Sequence, residues 1–315
     1  MIQDMKDKTI VVLMGGPSKE AEVSRRTGAA IVEALQALSY KVVPMELHPD
    51  HVVEDIKAAH GDVVFNAIHG KFGEDGALQG ALEMAGIPYT GPGVMAHAVG
   101  MNKKVSKDVF QGAGIPTARF ISYDGNKESV EAIIGHIKNN FTIPVVLKPA
   151  TQGSSIGVTI ARSVEELEKA VKTALEFDPI LVVEQYITGR EFTAAVLNGQ
   201  ALPVIEIRPH SGEYDYASKY TSGATDYLVP APIDEALAKR MQSIAQDVYT
   251  TMQCQGTIRV DLMMDKDSDK VYVLEYNTIP GMTATSLVPK AAKAIGISFP
   301  ELCEKILQSA GLGKF

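Results

Sequence analysis

Apolar and polar residues alternate along two neighbouring segments towards the carboxyl-terminal end of the chain. Ile258, Val260 and Leu262 take every second position in the first segment, and apolar residues return at 271–274 in the second, after the polar run DKDSD. Alternation with a period of two predicts strands with one buried face, and the polar run between them predicts a turn. The sequence therefore predicts a β-hairpin here.

The register of this hairpin decides which polar side chains meet. Because side chains alternate across a strand, a turn with an odd number of residues centred on Ser268 places Asp261 opposite Glu275 and Arg259 opposite Asn277. A slip of one residue would move these side chains to the other face. Two carboxylates and an amide oxygen form an all-oxygen ligand set, which suits Mg²⁺ better than zinc. Solvated charges on a strand face would give the same pattern.

The segment after the hairpin, NTIPGMTATSLVPKAAKA, favours a ligand site over solvated charges. Its Pro-Gly turn can direct backbone N–H groups at a substrate, and Ser286 stands where the cap of a helix is expected. A helix start with free N–H groups binds a carboxylate or a phosphate. Metal ligands, an arginine and an anion-binding helix start thus occur close together in the sequence.

The amino-terminal segment predicts an α/β domain. TIVVLMGG has the pattern of a buried strand that ends in a glycine pair, and an amphipathic helix follows with Ile31, Ala34, Leu35 and Leu38 on one face. This order is typical of a doubly wound parallel sheet. The turn is GGPSKE, so the G-x-G-x-x-G pattern of a dinucleotide-binding dehydrogenase is absent. Glu20 lies at the expected ligand edge of the sheet, where it either binds a ligand or stabilises the helix start.

Two glycine-rich loops follow other predicted strands. HGKFGEDGALQG comes after a strand at 62–68, which places His69 in an exposed loop, as a ligand donor or as a structural hydrogen-bonding residue. PVVLKPATQGSSIGV predicts a strand that ends in Lys148, a Gly/Ser flap and another strand. Lysine and the N–H and hydroxyl groups of the flap suit phosphate oxygens, although an ordinary hairpin turn has the same pattern.

The central part of the chain predicts a helix, a strand pair and a long loop. One helix face carries Ala98, Met101, Val105 and Val109. ILVVEQYITGREFTAAVL predicts two strands joined by a connector, where Glu184 and Glu191 either hold an adenine and a ribose or are solvated acids of an interdomain connector. HSGEYDYASKYTSGATDYLVP lacks apolar periodicity, which predicts a loop of the kind that closes over a ligand as a lid.

Composition restricts the possible functions. The 315 residues include 30 Lys and Arg against 38 Asp and Glu, a net charge of -8 without a basic cluster, so nucleic acid is not an expected partner. No apolar run approaches the length of about 18 residues that predicts a membrane span, and MIQDMKDK is too charged for a secretory signal. Two cysteines are too few for a disulfide framework, which favours the cytoplasm. The length favours two or three domains.

Eight motifs, in order along nearly the whole chain, resemble the D-alanine–D-alanine ligases, a family of ATP-grasp enzymes: GGPSKEAEVS, HGKFGEDGALQG, GIPYTGPG, KPATQGSSIGV, EQYITGREFT, YDYASKYTSGAT, IRVDLM and LEYNTIPGMTATSLVP. One departure is Asn102 in MNKK, where the family usually has Asp. The resemblance implies an α/β, three-domain ATP-grasp fold. A doubly wound parallel-sheet domain would cover 1–92, a central ATP-grasp domain 93–184, and a carboxyl-terminal ATP-grasp domain with the lid and a metal site 185–315.

The resemblance also implies a site for ATP, for two Mg²⁺ or Mn²⁺ ions and for two molecules of D-alanine. The residues implied for ATP are Lys103, Lys148, Ser155, Glu184, Ile187, Glu191 and Lys219. Those implied for metal are Asp261, Glu275 and Asn277, and those for the two D-alanines are Glu20, His69, Arg259, Gly281, Ser286 and Leu287. The catalytic residues implied are Glu20, Ser154 and Tyr220, as a hydrogen-bonded set over the substrate, with Arg259 and the Gly281 N–H as oxyanion donors.

The implied reaction joins two D-alanines through an acyl phosphate, releases ADP and phosphate, and supplies peptidoglycan precursors in the cytoplasm. A homodimer is implied as well, without a membrane or nucleic acid as partner. Relatives that form D-alanyl-D-lactate carry His in the part of the lid that has Tyr220 here, which favours an amine as second substrate. The alternatives are a ligase with D-serine or D-lactate as second substrate and a nucleotide-binding regulator with a silent site.

Overall fold

A computed structural model gives the structure of the chain and describes residues 5–212, 221 and 223–314. The described strands form three β-sheets. The strands are β1 Thr9–Met14, β2 Lys41–Glu46, β3 Val63–Asn66, β4 Phe120–Asp124, β5 Val145–Pro149, β6 Thr159–Ala161, β7 Ile180–Gln185, β8 Gly189–Leu197, β9 Gln200–Ala201, β10 Ile205–Pro209, β11 Thr225–Leu228, β12 Thr257–Asp265 and β13 Val271–Asn277. The helices are α1 Ala21–Ala37, α2 Val52–Ala58, α3 Ala77–Ala85, α4 Val94–Met101, α5 Lys103–Gly112, α6 Val130–Asn140, α7 Leu167–Leu175, α8 Glu235–Thr251, α9 Leu287–Ala294 and α10 Phe299–Leu307.

The first sheet is parallel, with strand order β2-β1-β3, as the sequence predicted for the amino-terminal domain. Residues of β1 alternate between two cores because neighbouring side chains point to opposite faces. Ile10 and Val12 pack with α1, α9 and α10, whereas Val11 and Leu13 pack with α2 and α3. The carboxyl ends of the strands remain open at one edge, where the chain passes through Gly15 and then to the start of α1.

The second sheet is antiparallel, with strand order β4-β7-β5-β6. Helices α6 and α7 cover it, and Ile133, Ile137 and Val171 are fully buried against its strands. The predicted Gly/Ser flap connects β5 to β6 at the end of the sheet. Burial of the helix faces holds this sheet rigid, so the flap is attached to a fixed base.

The third sheet has strand order β11-β10-β8-β12-β13, with β9 paired to β8. Its β12–β13 hairpin has the predicted pairs, Arg259 opposite Asn277 and Asp261 opposite Glu275. The predicted turn is wrong, however. The turn contains an even number of residues, 266–269, because Asp265 N–H donates to Lys270 O. A β-bulge after Asp261 restores the predicted register at the end of the hairpin that carries Arg259 and Asn277.

The single helix predicted around 98–109 is wrong, since the structure breaks it into α4 and α5 at Asn102. Asn102 is the N-cap of α5, and its Oδ1 accepts a hydrogen bond from Val105 N–H. Asn caps a helix about as well as Asp, so Asn102, at the position where the family usually has Asp, still caps the start of α5. The predicted apolar face is also wrong, because Ala98 is exposed and Lys107 is buried.

The long loop predicted at 210–230 is partly a strand. Thr225–Leu228 forms β11 and pairs antiparallel with β10, because the segment returns along an open sheet edge. Lys219 and Tyr220 lie outside the described residues. Within the described ranges, no helix has both the length and the apolar character that spanning a membrane requires.

Candidate active site

Two cavities lie side by side where the three sheets meet. The smaller, about 320 Å³, is called the polar cavity, and its lining includes the residues implied for the substrates, for catalysis and for metal except Asp261 and Tyr220: Glu20, His69, Ser154, Arg259, Glu275, Asn277, Gly281, Ser286 and Leu287. The larger, about 680 Å³, is called the long cleft, and its lining includes Lys148, Ser155, Glu184, Ile187 and Glu191. Ser154 and Ser155 are consecutive flap residues, so the flap borders both cavities.

Glu20 occupies the N-cap position of α1, at the open edge of the parallel sheet. Its Oε1 accepts a 2.5 Å hydrogen bond from Ser154 Oγ. Ser154 and Ser155 both have left-handed backbone conformations, with φ of 49° and 59°. Non-glycine residues rarely adopt this conformation, and here it shapes the flap so that Ser154 reaches the first sheet.

His69 follows β3, but the prediction that it stands in an exposed loop is wrong. The residue is only 6% exposed, and its Nε2 lies 3.1 Å from Thr27 Oγ1. Burial and the charge of Arg259 lower the pKa of His69 to about 4, against a hydrogen bond with the Ile279 backbone that raises it. The imidazole is therefore neutral at pH 7 and contributes a hydrogen-bonding wall to the polar cavity.

Glu74 also lines the polar cavity and was not predicted from the sequence. Its Oε2 accepts a 2.6 Å hydrogen bond from Gly70 N–H. Burial and the nearby charge of Glu20 raise the pKa of Glu74 to about 8. This acid was visible in HGKFGEDG, but its enclosure depends on how the loop folds back on itself. The polar cavity thus contains one carboxyl group that is protonated at neutral pH.

Asp261 is the centre of the polar network on the hairpin. Arg259 donates to both of its carboxylate oxygens, through Nε at 2.9 Å and Nη2 at 2.8 Å. Asn277 Nδ2 donates to Oδ2 at 3.0 Å, and Thr193 Oγ1, on β8, donates to Oδ1 at 2.7 Å. The sequence predicted three of these four residues and missed Thr193, which belongs to a strand distant in sequence.

Lys103 connects the flap to the hairpin. Its Nζ lies 3.4 Å from Glu275 Oε2 and donates a 2.6 Å hydrogen bond to Gln152 O. The break at Asn102 places Lys103 in the first turn of α5, at this junction. The lysine is therefore fixed beside the acidic end of the hairpin, although it does not line the long cleft.

Ser286 is the N-cap residue of α9, as the sequence predicted, and Leu287 is the first helical residue. The Ser286 hydroxyl makes no capping bond to the helix. It accepts a 3.0 Å hydrogen bond from Thr283 N–H instead. Gly281 faces this serine closely, since a Cβ atom at Gly281 would lie 3.0 Å from Ser286 Oγ. Ser286 and Leu287 line the polar cavity, so the start of α9, which suits an anion, borders it.

The long cleft lies between the second and third sheets, with Glu184 of β7 at its buried end. Glu184 Oε2 is 3.0 Å from Lys148 Nζ and 3.4 Å from Lys107 Nζ. Burial alone would raise the pKa of Glu184, but the two ammonium groups outweigh it and hold the pKa below its usual value. Within the described residues, Oε1 of this buried carboxylate has no hydrogen-bond partner. Lys107 was not predicted from the sequence.

Two family models match the chain, and together they cover most of it. The model described as D-ala D-ala ligase C-terminus matches residues 109–308, and the model described as D-ala D-ala ligase N-terminus matches residues 47–92. Among curated proteins, a D-alanine–D-alanine ligase from Pelotomaculum thermopropionicum is 44% identical over 305 residues, which are 95% of each chain. One from Syntrophotalea carbinolica is 45% identical over 313 residues, 99% of each chain.

Solved structures are similar as well. The D-alanine–D-alanine ligase of Bacillus anthracis has a TM-score of 0.84 at 36% identity, covering 96% of this chain and 97% of that one. A complex of the same enzyme with ATP has a TM-score of 0.80 at 34% identity, with the same coverage. The VanG D-Ala:D-Ser ligase of Enterococcus faecalis has a TM-score of 0.83 at 31% identity, covering 95% of this chain and 98% of that one.

Proposed function

The chain belongs to the D-alanine–D-alanine ligase family, and from this premise we propose that it joins two molecules of D-alanine at the expense of ATP, giving D-alanyl-D-alanine, ADP and phosphate for peptidoglycan synthesis. The observation that carries this proposal is the polar cavity, where Glu20, Arg259 and the start of α9 converge beside the long cleft. A carboxylate, a guanidinium and a helix start are the groups needed for an ammonium and two carboxylates.

The long cleft is the proposed ATP site. We assign the adenine to Glu184 and Ile187 and the ribose hydroxyls to Glu191, because all three line this cleft between two sheets. Phosphates are assigned to Lys148 and to Ser155 of the flap, which line the cleft, and to Lys103, which lies beside Glu275 of the polar cavity. Lys219 is added from the family resemblance. The ATP complex of the Bacillus anthracis enzyme supports a nucleotide in this fold.

Asp261, Glu275 and Asn277 are the proposed ligands of two Mg²⁺ or Mn²⁺ ions. The donor set fits hard cations, since Asp261 and Glu275 face each other and Asn277 is adjacent, with oxygen donors only. A half-turn of the Asn277 amide exchanges its Nδ2 for Oδ1 towards Asp261. Bound cations would offset the charge that develops on the transferred phosphoryl group. Thr193 and Arg259 hold Asp261 in place for this role.

In the first step of the proposed reaction, the carboxylate of the first D-alanine attacks the γ-phosphorus, forms an acyl phosphate and releases ADP. Glu20, held by Ser154, binds the ammonium of this substrate, and Tyr220 completes the set by family resemblance. The amine of the second D-alanine, after loss of a proton, then attacks the acyl carbon and expels phosphate. Ser286 and the Leu287 N–H bind its carboxylate.

Arg259 and the Gly281 N–H are the proposed oxyanion donors of the second step. Both line the polar cavity, and Arg259 is held by its two bonds to Asp261. A donor of this type contributes about 3 kcal/mol to transition-state stabilisation in comparable sites. His69, neutral and beside Arg259 in the same wall, adds a hydrogen-bonding surface for the substrate without a competing positive charge.

The wider organisation is proposed on the same basis. The chain divides into domains at 1–92, 93–184 and 185–315, works as a homodimer and resides in the cytoplasm, without nucleic acid or a membrane as partner. The three sheets support the domain division, because each lies in one of these segments except for Gln185, the last residue of β7.

The test is ADP release from Mg²⁺-ATP with D-alanine, with L-alanine and no amino acid as controls, and identification of the product by mass. ADP release with D-alanine alone and a D-alanyl-D-alanine mass are expected. Release of ADP without this dipeptide would point to another acceptor, D-serine or D-lactate, and the similar D-Ala:D-Ser ligase makes both worth including. Bound ATP without ADP release under any condition would contradict the ligase and indicate a silent regulator.

A further inference from the structure

Lys107 is a fully buried lysine on α5 that the proposed reaction does not use. Its Nζ donates a 2.6 Å hydrogen bond to Thr117 Oγ1 and lies 3.4 Å from Glu184 Oε2. Thr117 Oγ1 in turn donates to Val273 O, on the hairpin. Burial of an ammonium group is costly, so lysine is almost never fully buried without a partner. The two contacts of the ammonium group, with Thr117 itself anchored to the hairpin, hold this lysine in one position.

Lys148 also contacts the same carboxylate oxygen of Glu184, but the two lysines differ in their surroundings. The Lys148 side chain is 13% exposed and lines the long cleft, where the proposed function assigns it to the phosphates of ATP. Lys107 has a side chain that is 1% exposed, and it does not line the cleft. When Lys148 turns towards phosphate, Lys107 therefore remains as the cation beside Glu184.

The two lysines engage Oε2, whereas Oε1 has no partner in the described part of the chain. A buried carboxylate oxygen without a donor is costly, and the proposed adenine site can supply one. The 6-amino group of adenine donates hydrogen bonds, but the 6-oxo group of hypoxanthine or guanine presents an acceptor lone pair. A carboxylate oxygen fixed at this point would therefore attract the first kind of purine and repel the second.

We propose that Lys107 is a positioning residue that holds the Glu184 carboxylate through Oε2, which leaves Oε1 to accept a hydrogen bond from the purine, and thereby makes the enzyme select a 6-amino purine nucleotide over a 6-oxo purine nucleotide. This inference rests on the proposed function, in which the long cleft binds the purine. Burial lowers the pKa of Lys107 to about 8 while Glu184 opposes this shift, so both groups are charged at pH 7.

The test compares Lys107→Met with Lys104→Met in the intact enzyme, with ATP and ITP as nucleotides. Lys104 is on the same helix, but its ammonium forms a surface ion pair with Asp108, so it is a matched control. For Lys107→Met, KM for ATP rises about tenfold or more, kcat at saturating ATP changes less than about threefold, and the ATP over ITP preference in kcat/KM falls about tenfold. Lys104→Met leaves all three unchanged.

Two further variants separate the possible outcomes. Thr117→Val removes the hydrogen bond that anchors Lys107 and shifts the preference in the same direction, by less, which keeps the test decisive if Lys107→Met does not fold. Lys107→Arg, which retains the charge, recovers part of the preference. A folded Lys107→Met enzyme with unchanged KM for ATP and unchanged nucleotide preference would overturn the inference, and so would an unchanged preference in folded Thr117→Val.

Glu184→Gln tests the assignment on which the inference rests. Loss of preference in Glu184→Gln but not in Lys107→Met would refute the role of Lys107 and leave the purine site intact. An unchanged preference in Glu184→Gln would show that the purine does not bind at Glu184 and would overturn the inference. The proposed ligase activity would be unaffected by this result, because dipeptide formation by the native enzyme tests it separately. Failure of the native enzyme to release ADP with D-alanine is a separate result that contradicts the proposed function.

Discussion

Ser154 Oγ donates a 2.5 Å hydrogen bond to Glu20 Oε1 across 134 positions of the chain. Glu20 begins α1 beside the first sheet, whereas Ser154 belongs to the flap of the second sheet. A neighbouring residue of the flap also lies close to Glu20, since a Cβ atom at Gly153 would lie 3.5 Å from Glu20 Oε2. The flap and the amino-terminal sheet therefore enclose one side of the polar cavity together.

Ser154→Ala is expected to weaken binding of the first D-alanine. Loss of a hydrogen bond to a charged group costs about 1.5–3 kcal/mol, so KM for D-alanine at this site should rise about tenfold or more. KM for ATP should change little, because Ser154 does not line the long cleft. ADP release measured against D-alanine concentration gives both constants. In a double-mutant cycle with Glu20→Gln, strictly additive effects would show that the two residues do not act through their hydrogen bond.

Glu74→Gln is expected to change how stability depends on pH. The pKa of Glu74 is raised to about 8 in the folded protein, from about 4.5 in the unfolded chain. Between these two pH values the folded state therefore holds a proton that the unfolded state has lost. This group therefore makes the protein less stable as pH rises from about 4.5 to 8. Over the part between pH 6.5 and 8 the loss is at most about 2 kcal/mol, at about 1.4 kcal/mol for each pH unit.

Urea unfolding at pH 6.5 and pH 8 measures this effect. The native protein and Glu74→Gln share every other titrating group, including His69, whose pKa is lowered to about 4, and Lys314, whose pKa is lowered to about 7. The difference between the two proteins therefore isolates Glu74, and the variant should gain stability relative to the native protein as pH rises. An equal pH dependence in both proteins would exclude a protonated Glu74 at neutral pH.

Gly281→Ala is expected to impair the second half of the reaction. The new Cβ atom would lie 3.0 Å from Ser286 Oγ, so either the serine or the Gly281 backbone must shift. We expect kcat to fall about tenfold or more, since both groups are assigned to the second substrate and the oxyanion. Gly80→Ala on α3 is the control, because its Cβ has no neighbour within 4 Å. Equal activity of the two variants would contradict the assignment.

The hairpin shows what the sequence could predict. Alternation of apolar residues predicted which side chains share a face, whereas the pairing of Asp261 with Glu275 also rested on an odd turn centred on Ser268. The turn could not be predicted from this pattern, because a bulge changes the residue count on one strand and leaves the pairs beyond it opposed. Apolar spacing also did not predict the break between α4 and α5 at Asn102. The capping residue interrupts a face whose apolar spacing continues across it.

Two of the residues that were not predicted, Lys107 and Thr193, are buried polar groups whose partners are distant in the chain. Lys107 contacts Glu184, and Thr193 contacts Asp261, across 68 positions in the second case. A lysine on a helix normally predicts a solvated face, and a threonine in a strand predicts only a strand. Their roles arise from packing between sheets, which residue spacing does not encode.

Thr193→Val is expected to weaken the response to Mg²⁺. Thr193 Oγ1 donates a 2.7 Å hydrogen bond to Asp261 Oδ1, and partners that orient a metal ligand typically contribute about 10–100-fold to metal affinity or activity. Valine has nearly the same shape but no hydroxyl, so the strand should keep its packing while the Asp261 carboxylate loses one of its donors. The Mg²⁺ concentration for half-maximal ADP release should rise by about tenfold or more.

Thr257→Val is the matched control for this experiment. Thr257 is buried on β12, and its hydroxyl donates to Val196 O at 3.1 Å, just as Thr193 also donates to a backbone oxygen, Val260 O, at 3.1 Å. Both substitutions remove a buried hydroxyl and should lower the free energy of unfolding, Thr257→Val by about 1 kcal/mol and Thr193→Val by about 1.5–3 kcal/mol because its acceptor is charged. Only Thr193→Val removes a contact with Asp261. A loss of stability in both variants, with a change in Mg²⁺ dependence in Thr193→Val alone, would therefore identify the contact with the carboxylate. Equal Mg²⁺ dependence in the two variants would remove Thr193 from the site.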